Sequence, residues 1–333
     1  MDRANLVERL REHAALRPER VALRFLEGEG IADELTFAAL DVRIRALAAW
    51  LQQMGGAGER AVILLPSGIN YAVAFYACLY AGVIAVPAYP PEGGPERYAG
   101  RLNGILRDAA PRFILAETAL RHLIEATLPS LDDVQIVALD TIPPELAAEW
   151  RETRPAADAI AFLQYTSGST SEPKGVCVSH GNLTANERAI EAVAGGTPDD
   201  VFVSWLQLYH DMGLIGGLLN PLFTGFTGVL MSPRNFLERP RRWLEAIDRH
   251  GGTMSGGPDF AYSLCADRIS DETISRLDLS RWRFSFSGSE FVRRATLQKF
   301  GDRFARAGLN RRALTACYGL AEATLLVAAD DIA

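Results

Sequence analysis

Two stretches without a single charged side chain, Tyr71 to Tyr89 and Leu214 to Pro233, leave this 333-residue chain few ways to fold. Each approaches the roughly 20 residues that cross a bilayer. Gly82 and Pro87 interrupt the first, and Gly216, Gly217, Pro221, Gly225 and Gly228 interrupt the second. Buried core therefore accounts for both better than a span, and no stable membrane insertion is expected. The first stretch reads as a helix over Tyr71–Tyr80 and a strand over Val83–Val86, because parallel strands covered on both faces appear as continuous apolar runs. Helix and strand signals alternate along the rest of the chain, the pattern of an α/β fold. Phe37 to Trp50 places Phe37, Leu40, Ile44, Leu47 and Ala48 at helical spacing before the stop at Gly55-Gly56. Further strands are expected at Ala61–Leu65, Phe113–Ala116, Val134–Ala138, Val201–Trp205 and Trp282–Phe286, and further helices at Ala119–Ala126, Asn182–Val193 and Arg241–Arg249.

The run from Phe162 to His180 carries the chemistry. An apolar entry leads to hydroxyls and glycines, then one lysine, then an apolar exit. A loop between Tyr165 and Val176 can aim backbone N–H groups, the hydroxyls of Thr166, Ser167, Ser169 and Thr170, and the ammonium of Lys174 at one polyanion. Its spacing is not that of a Walker loop, since Gly168 is followed by Lys174 and only then by Gly175. Ser171 and Lys174 match the S-x-x-K pattern of serine hydrolases, but Pro173 breaks the helical turn that pattern needs. A polar surface loop would read much the same, except that the chain has only two lysines, Lys174 and Lys299, among many arginines. A lysine here is a selected cation.

Thr166-Ser-Gly-Ser-Thr-Ser-Glu-Pro-Lys-Gly175 resembles the phosphate-loop signature of the adenylate-forming enzymes, a superfamily of acyl-CoA synthetases, peptide-synthetase adenylation domains and luciferases. Tyr318-Gly-Leu-Ala-Glu322 resembles its Tyr-Gly-x-x-Glu motif. Trp205-Leu-Gln-Leu-Tyr-His-Asp-Met-Gly-Leu-Ile-Gly216, Val86-Pro-Ala-Tyr-Pro-Pro91 and Cys317-Tyr-Gly-Leu-Ala-Glu-Ala-Thr-Leu-Leu-Val327 are most similar to the fatty acyl-AMP ligase branch. The resemblance implies an α/β fold of two stacked αβ subdomains with mainly parallel sheets, the truncated amino-terminal domain of an adenylate-forming enzyme, with the active site in the groove between them. The seam is expected near residue 190: residues 1–190 form the first subdomain with the phosphate loop, and 191–333 the second with the adenine and acyl pocket. The first segment of chain often packs on the second subdomain in this superfamily. The ribose-binding aspartate, the carboxy-terminal lid domain with its catalytic lysine, and the fatty acyl-AMP ligase insertion would all lie beyond Ala333, so weak turnover by the isolated chain is expected.

The resemblance also assigns roles. Activation makes a carboxylate oxygen attack the α-phosphorus of ATP and displace pyrophosphate, so charge on the departing phosphates needs stabilising. Thr166, Ser167, Gly168, Ser169, Thr170 and Lys174 are the candidates. Glu322 would supply a carboxylate to Mg²⁺, which keeps several waters and needs few protein ligands. Without that role it would simply start a helix. Tyr318, beside Gly319, would stack on adenine, with Gly288, Ser289 and Glu290 as the opposite wall. Fatty acyl-AMP ligases more usually have a small residue before that glutamate and a proline after it, where this chain has Ser289 and Phe291. His210 would position carboxylate or phosphate, since the acid is already ionised at pH 7 and needs no base. Leu214–Met231 and Ser255–Leu264 are the candidate linings of a fatty-chain tunnel, and core packing suits the same residues.

The remaining expectations concern setting and partners. A formal net charge of -7 with scattered arginines gives no footprint for nucleic acid or anionic lipid. Cys78, Cys177, Cys265 and Cys317 lie far apart and Met1-Asp-Arg-Ala opens no signal peptide, so a cytoplasmic setting is expected. The leading function is ATP-dependent formation of acyl-AMP from a fatty acid, for transfer to an acyl carrier protein thiol. An acyl-CoA or aryl-CoA ligase core and a catalytically idle adenylate-binding module remain as alternatives.

Overall fold

The structure is a computed structural model that describes residues 4–90, 95–128, 133–166 and 173–331. From its amino terminus the chain forms α1 (Leu6–Leu16), β1 (Val21–Glu27), β2 (Gly30–Thr36), α2 (Phe37–Gln53), β3 (Arg60–Leu64), α3 (Ile69–Ala81), β4 (Ile84–Ala88), α4 (Pro95–Ala109), β5 (Phe113–Ala116), α5 (Thr118–Thr127), β6 (Gln135–Ala138), β7 (Ile160–Thr166) and β8 (Lys174–Ser179). It continues through α6 (His180–Ala194), β9 (Val201–Ser204), a π-helix over Met212–Leu219, α7 (Asn220–Thr224), β10 (Thr227–Met231), α8 (Pro233–Glu238), α9 (Arg241–His250), β11 (Met254–Gly257), α10 (Asp259–Arg268), α11 (Asp271–Ile274), β12 (Phe284–Ser287), α12 (Arg294–Phe304), β13 (Leu314–Gly319) and β14 (Leu326–Asp331).

Two compact units result. Residues 1–19 and 36–185 make one, and residues 20–35 and 186–333 the other. The first holds a six-stranded sheet in the order β6-β5-β3-β4-β7-β8. Its pairs are parallel except the last, β7 with β8. Helix α3 is buried along its whole length, which explains its lack of charge, and it ends where Gly82 takes the left-handed conformation (φ 70) that a side chain would resist. Helix α2 starts at a Thr36 cap, whose hydroxyl accepts the Ala39 N–H, and buries Phe37, Leu40, Ile44 and Leu47. Asp41 is buried on that same helix, and its carboxylate is satisfied by the Tyr80 hydroxyl (3.1 Å) and Arg45 Nε (2.7 Å).

The second unit holds an eight-stranded sheet in the order β14-β13-β12-β11-β9-β10-β1-β2. Strand β1 pairs parallel with β10, so an early segment of sequence completes a late sheet. The core beneath centres on Trp243, which meets Trp205, Phe236, Tyr262 and Trp282 edge-on. Its indole donates to Ser255 Oγ (2.7 Å), which in turn donates to Val203 O (2.6 Å). The second uncharged stretch resolves into the π-helix, α7 and the fully buried β10. Among the described residues no helix is long and apolar enough to cross a membrane.

Two expectations shift. The strand expected from Trp282 starts at Phe284, because Trp282 closes a turn with its N–H on Leu279 O and its indole on Phe284 O. The polar loop expected from Tyr165 to Val176 is shorter, because β7 and β8 stay paired out to Thr166 opposite Lys174.

Candidate functional site

In the first unit, the antiparallel pair β7–β8 brings Thr166 and Lys174 directly opposite each other at the open end of a ladder. Lys174 is exposed. Below them, Tyr165 is fixed by donating its hydroxyl to Asp108 (2.5 Å), and burial together with that carboxylate pushes the phenol well above its ordinary pKa. Ser167, Gly168, Ser169 and Thr170 lie outside the described residues.

In the second unit, the ends of β12 and β13 converge on a cavity of about 240 Å³. Gly288, Ser289, Tyr318 and Gly319 all line it, so four of the residues singled out by the sequence meet at one place. Local sequence explains the shape. A side chain at Gly319 would stand 2.1 Å from Leu325 O, so only glycine admits the bulge where β13 shifts register against β14. Ser289 holds φ 69, a left-handed conformation unusual outside glycine. Tyr318 is 62% exposed, an aromatic face presented to solvent at the rim. The Glu290 carboxylate turns aside to accept the Phe260 N–H (2.8 Å) at the start of α10. Reciprocally, the buried Asp259 at the start of α10 accepts the Arg293 N–H (2.8 Å) and the Thr296 hydroxyl (3.0 Å), and these two bonds pin the far side of the loop.

The walls of the cavity are apolar: Ile190 and Val193 from α6, Phe202 from β9, and Phe284 and Phe286 from β12. Gly216 and Asn220 come from the first of the two segments expected to line an apolar tunnel. The second, Ser255–Leu264, lies elsewhere, with Phe260 edge-on to Trp205 and Tyr262 in the core. Asn220 donates to the fully buried Glu187 (3.1 Å), whose carboxyl burial pushes well above its ordinary pKa. Cys317 also lines the cavity, and burial raises its thiol to about 11, too high for a nucleophile at neutral pH.

One cavity residue had been quoted in a motif without a role. Asp211 caps the π-helix by accepting the Met212 N–H (2.7 Å) and lines the cavity. Burial raises its carboxyl, and the charge of nearby Glu322 adds to that against the opposing pull of the Met212 N–H and His210. Glu322 itself is exposed, on a one-turn 3₁₀ helix over Ala321–Ala323. His210 is exposed beside Asp211, its ring 5.0 Å from that of Tyr209. The bare motif Tyr-His-Asp drew attention to the histidine, whereas burial at the helix start distinguishes the aspartate.

Comparison with known proteins places the chain in a family. The medium-chain-fatty-acid–[acyl-carrier-protein] ligase JamA of Moorena producens is 39% identical over 330 residues, which are 97% of this chain and 56% of that protein. The long-chain-fatty-acid–AMP ligase FadD26 of Mycobacterium marinum is 40% identical over 339 residues, 97% of this chain and 57% of that protein. A crystal structure of the fatty acyl-adenylate ligase of L. pneumophila in complex with acyl adenylate and pyrophosphate superimposes with a TM-score of 0.91 at 38% identity, covering 98% of this chain and 57% of that one. The chain thus spans a little over half the length of the relatives it matches. The family model for AMP-binding enzymes matches residues 10–333, and the chain belongs to that family.

Proposed function

We propose that this chain is the adenylate-binding part of a ligase that activates a fatty acid as acyl-AMP with release of pyrophosphate, for transfer to the phosphopantetheine thiol of an acyl carrier protein. One observation supports this most: a single cavity combines apolar walls, an exposed aromatic face at Tyr318 and a carboxyl, Asp211, close to a second at Glu322. An acyl adenylate has the matching parts, a long apolar chain joined through phosphate to an aromatic base. The carrier as acceptor is brought over from the Moorena producens relative named for it.

In the reaction, a carboxylate oxygen of the acid bonds to the α-phosphorus of ATP while the bond to the β-phosphate oxygen breaks and pyrophosphate leaves. The acid is ionised at neutral pH, so no residue need take a proton. The ammonium of Lys174, with Thr166 and the hydroxyls that follow it, stabilises charge on the departing phosphates. Tyr318 stacks on adenine, Gly288 and Ser289 bound the base, and His210 orients the carboxylate. Bound magnesium supplies neutralisation of the triphosphate. Glu322 would hold it as an exposed hard oxygen donor, and Mg²⁺ keeps several waters and needs few protein ligands.

Calorimetric titration with a non-hydrolysable dodecanoyl-AMP mimic, beside AMP alone, tests this reading. The mimic is expected to bind at least about 100-fold more tightly, equivalent to burying about four methylenes at about 0.8 kcal/mol each. Equal affinities would leave the cavity without an acyl role and sink the reading.

A further inference from the structure

The turn that carries Glu322 is stapled from far away in sequence. Asn186 on α6 is 9% exposed, and its side-chain amide makes three hydrogen bonds to this turn. Nδ2 donates to Ala323 O (3.3 Å) and Leu326 O (3.0 Å), and Oδ1 accepts the Leu326 N–H (3.0 Å). Between the anchor points sits Thr324, buried and held at φ 72. A non-glycine residue in that region costs on the order of 1–3 kcal/mol and persists only where its surroundings over-determine it. Within the turn, Ala323 N–H donates to Leu320 O and Thr324 N–H to Ala321 O, and the Leu320 N–H closes onto Leu325 O. Glu322 immediately precedes the first carbonyl that Asn186 holds. Its own side chain is exposed and gains no fixed place from packing, so the backbone sets where the carboxylate stands. Asn186 does not line the cavity, whereas Leu325, between the anchor points, and Leu326, one of them, do.

We propose that Asn186 is a positioning residue for Glu322, holding the strained turn so that the carboxylate meets the divalent cation of a bound nucleotide. The inference rests on the ligase reading above. Groups that orient a metal ligand typically matter 10–100-fold in metal affinity, and Asn186 acts one step further back, through backbone. The Asn186→Leu substitution removes all three bonds at nearly constant size, while Asn186→Asp keeps the acceptor for Leu326 N–H and loses both donors.

The test combines two readouts on the purified chain. Amide hydrogen exchange without ligand should show protection at Thr324 and Leu326 falling in Asn186→Leu and less in Asn186→Asp, with the strands of the six-stranded sheet unchanged. Electron paramagnetic resonance titration of Mn²⁺ with ATP should show cation affinity about tenfold weaker in Asn186→Leu and intermediate in Asn186→Asp, while the dodecanoyl-AMP mimic, titrated without metal, weakens less than about threefold. Unchanged protection at Thr324 and Leu326 overturns the staple. Lost protection with unchanged Mn²⁺·ATP affinity, or an equal loss for the metal-free mimic, makes Asn186 structural only and overturns the positioning role. If the wild-type chain binds neither Mn²⁺·ATP nor the mimic, the ligase reading fails and this inference fails with it, an outcome distinct from the other two.

Discussion

Each sheet ends in an antiparallel strand, and each such edge carries a signature motif, yet the two edges are built differently. At β7–β8 the ladder runs regularly to Thr166 opposite Lys174, and the motif extends past the end of the pairing. At β13–β14 the register breaks between Tyr318 and Gly319, and the motif is folded into the break. The first edge is tight against a side chain: a methyl at Gly175 would stand 3.0 Å from the ring of Tyr165 and 3.3 Å from its hydroxyl. The second is tight against the chain itself, since a methyl at Gly319 would meet backbone at 2.1 Å. An edge whose glycine abuts a side chain can give, whereas one whose glycine abuts backbone cannot.

The sharpest way to break this comparison is the pair Gly319→Ala and Gly175→Ala. Overpacking against backbone costs about 3 kcal/mol, near the top of the usual range, so Gly319→Ala should lower the free energy of unfolding by that much and remove binding of the adenylate mimic. Gly175→Ala should cost less, about 1 kcal/mol, because its clash is with one side chain and not with backbone, although Asp108 holds that side chain by its hydroxyl. Equal costs at the two glycines would erase the distinction between the two edges.

Acid should separate the two units as well. His180, at the start of α6 in the first unit, is only 5% exposed, and burial holds its pKa down at about 4. An unfolded histidine titrates near 6.5. The unfolded chain therefore binds the proton first as pH falls, so the stability is complete above about pH 6.5 and declines toward pH 4, by up to about 3 kcal/mol. Asp200, in the second unit, is held at about 2: burial alone would raise it, but the Arg283 guanidinium (2.7 and 3.0 Å), Thr253 and the Thr197 N–H outweigh that. An unfolded aspartate titrates near 3.9, so this contribution is present above about pH 4 and lost as pH falls toward 2, about 2 kcal/mol in all. Denaturant unfolding across pH 7 to 3 should show His180→Asn flattening only the upper part of the decline and Asp200→Asn only the lower. An upper slope as steep in His180→Asn as in the wild type would refute the first assignment; burial lowers His250 as well, so a reduced slope remains.

Much of the frame was legible in the sequence because burial on both faces leaves a plain mark. The uncharged α3 and β4 stood out, and Gly82 ended the helix where a left-handed residue is required. Gly288, Ser289, Tyr318 and Gly319, named from two separate motifs, line one cavity. Other features had no local trace. The π-helix over Met212–Leu219 depends on Gly213 and Gly217 lying against Gln207 O and Ser204 Oγ, contacts that apolar periodicity does not encode. Strand β1 pairs with β10 across some 200 residues, and only the finished sheet shows why Val21–Glu27 extends. Asn186 looked like one polar residue among many on α6, since its three partners lie about 140 residues away. Local patterns record what a residue is. Long-range hydrogen bonds record what it holds.

The smallest expected effects sharpen the comparison most, because they separate ligand from fold. Lys174 and Tyr318 are both exposed, so replacing either with alanine should leave the free energy of unfolding within about 0.5 kcal/mol of wild type. Their effects on ligands should differ. Tyr318→Ala removes a stacking face worth about 1 kcal/mol and should weaken the adenylate mimic and ATP alike, by roughly fivefold. Lys174→Ala removes a cation that only the β- and γ-phosphates would meet. ATP affinity should therefore drop about tenfold while the mimic, which has neither phosphate, binds as before. Parallel titrations of the two ligands with the two variants check this. If Lys174→Ala weakens both ligands equally, the lysine acts on the α-phosphate that they share, and its role is not confined to the departing phosphates.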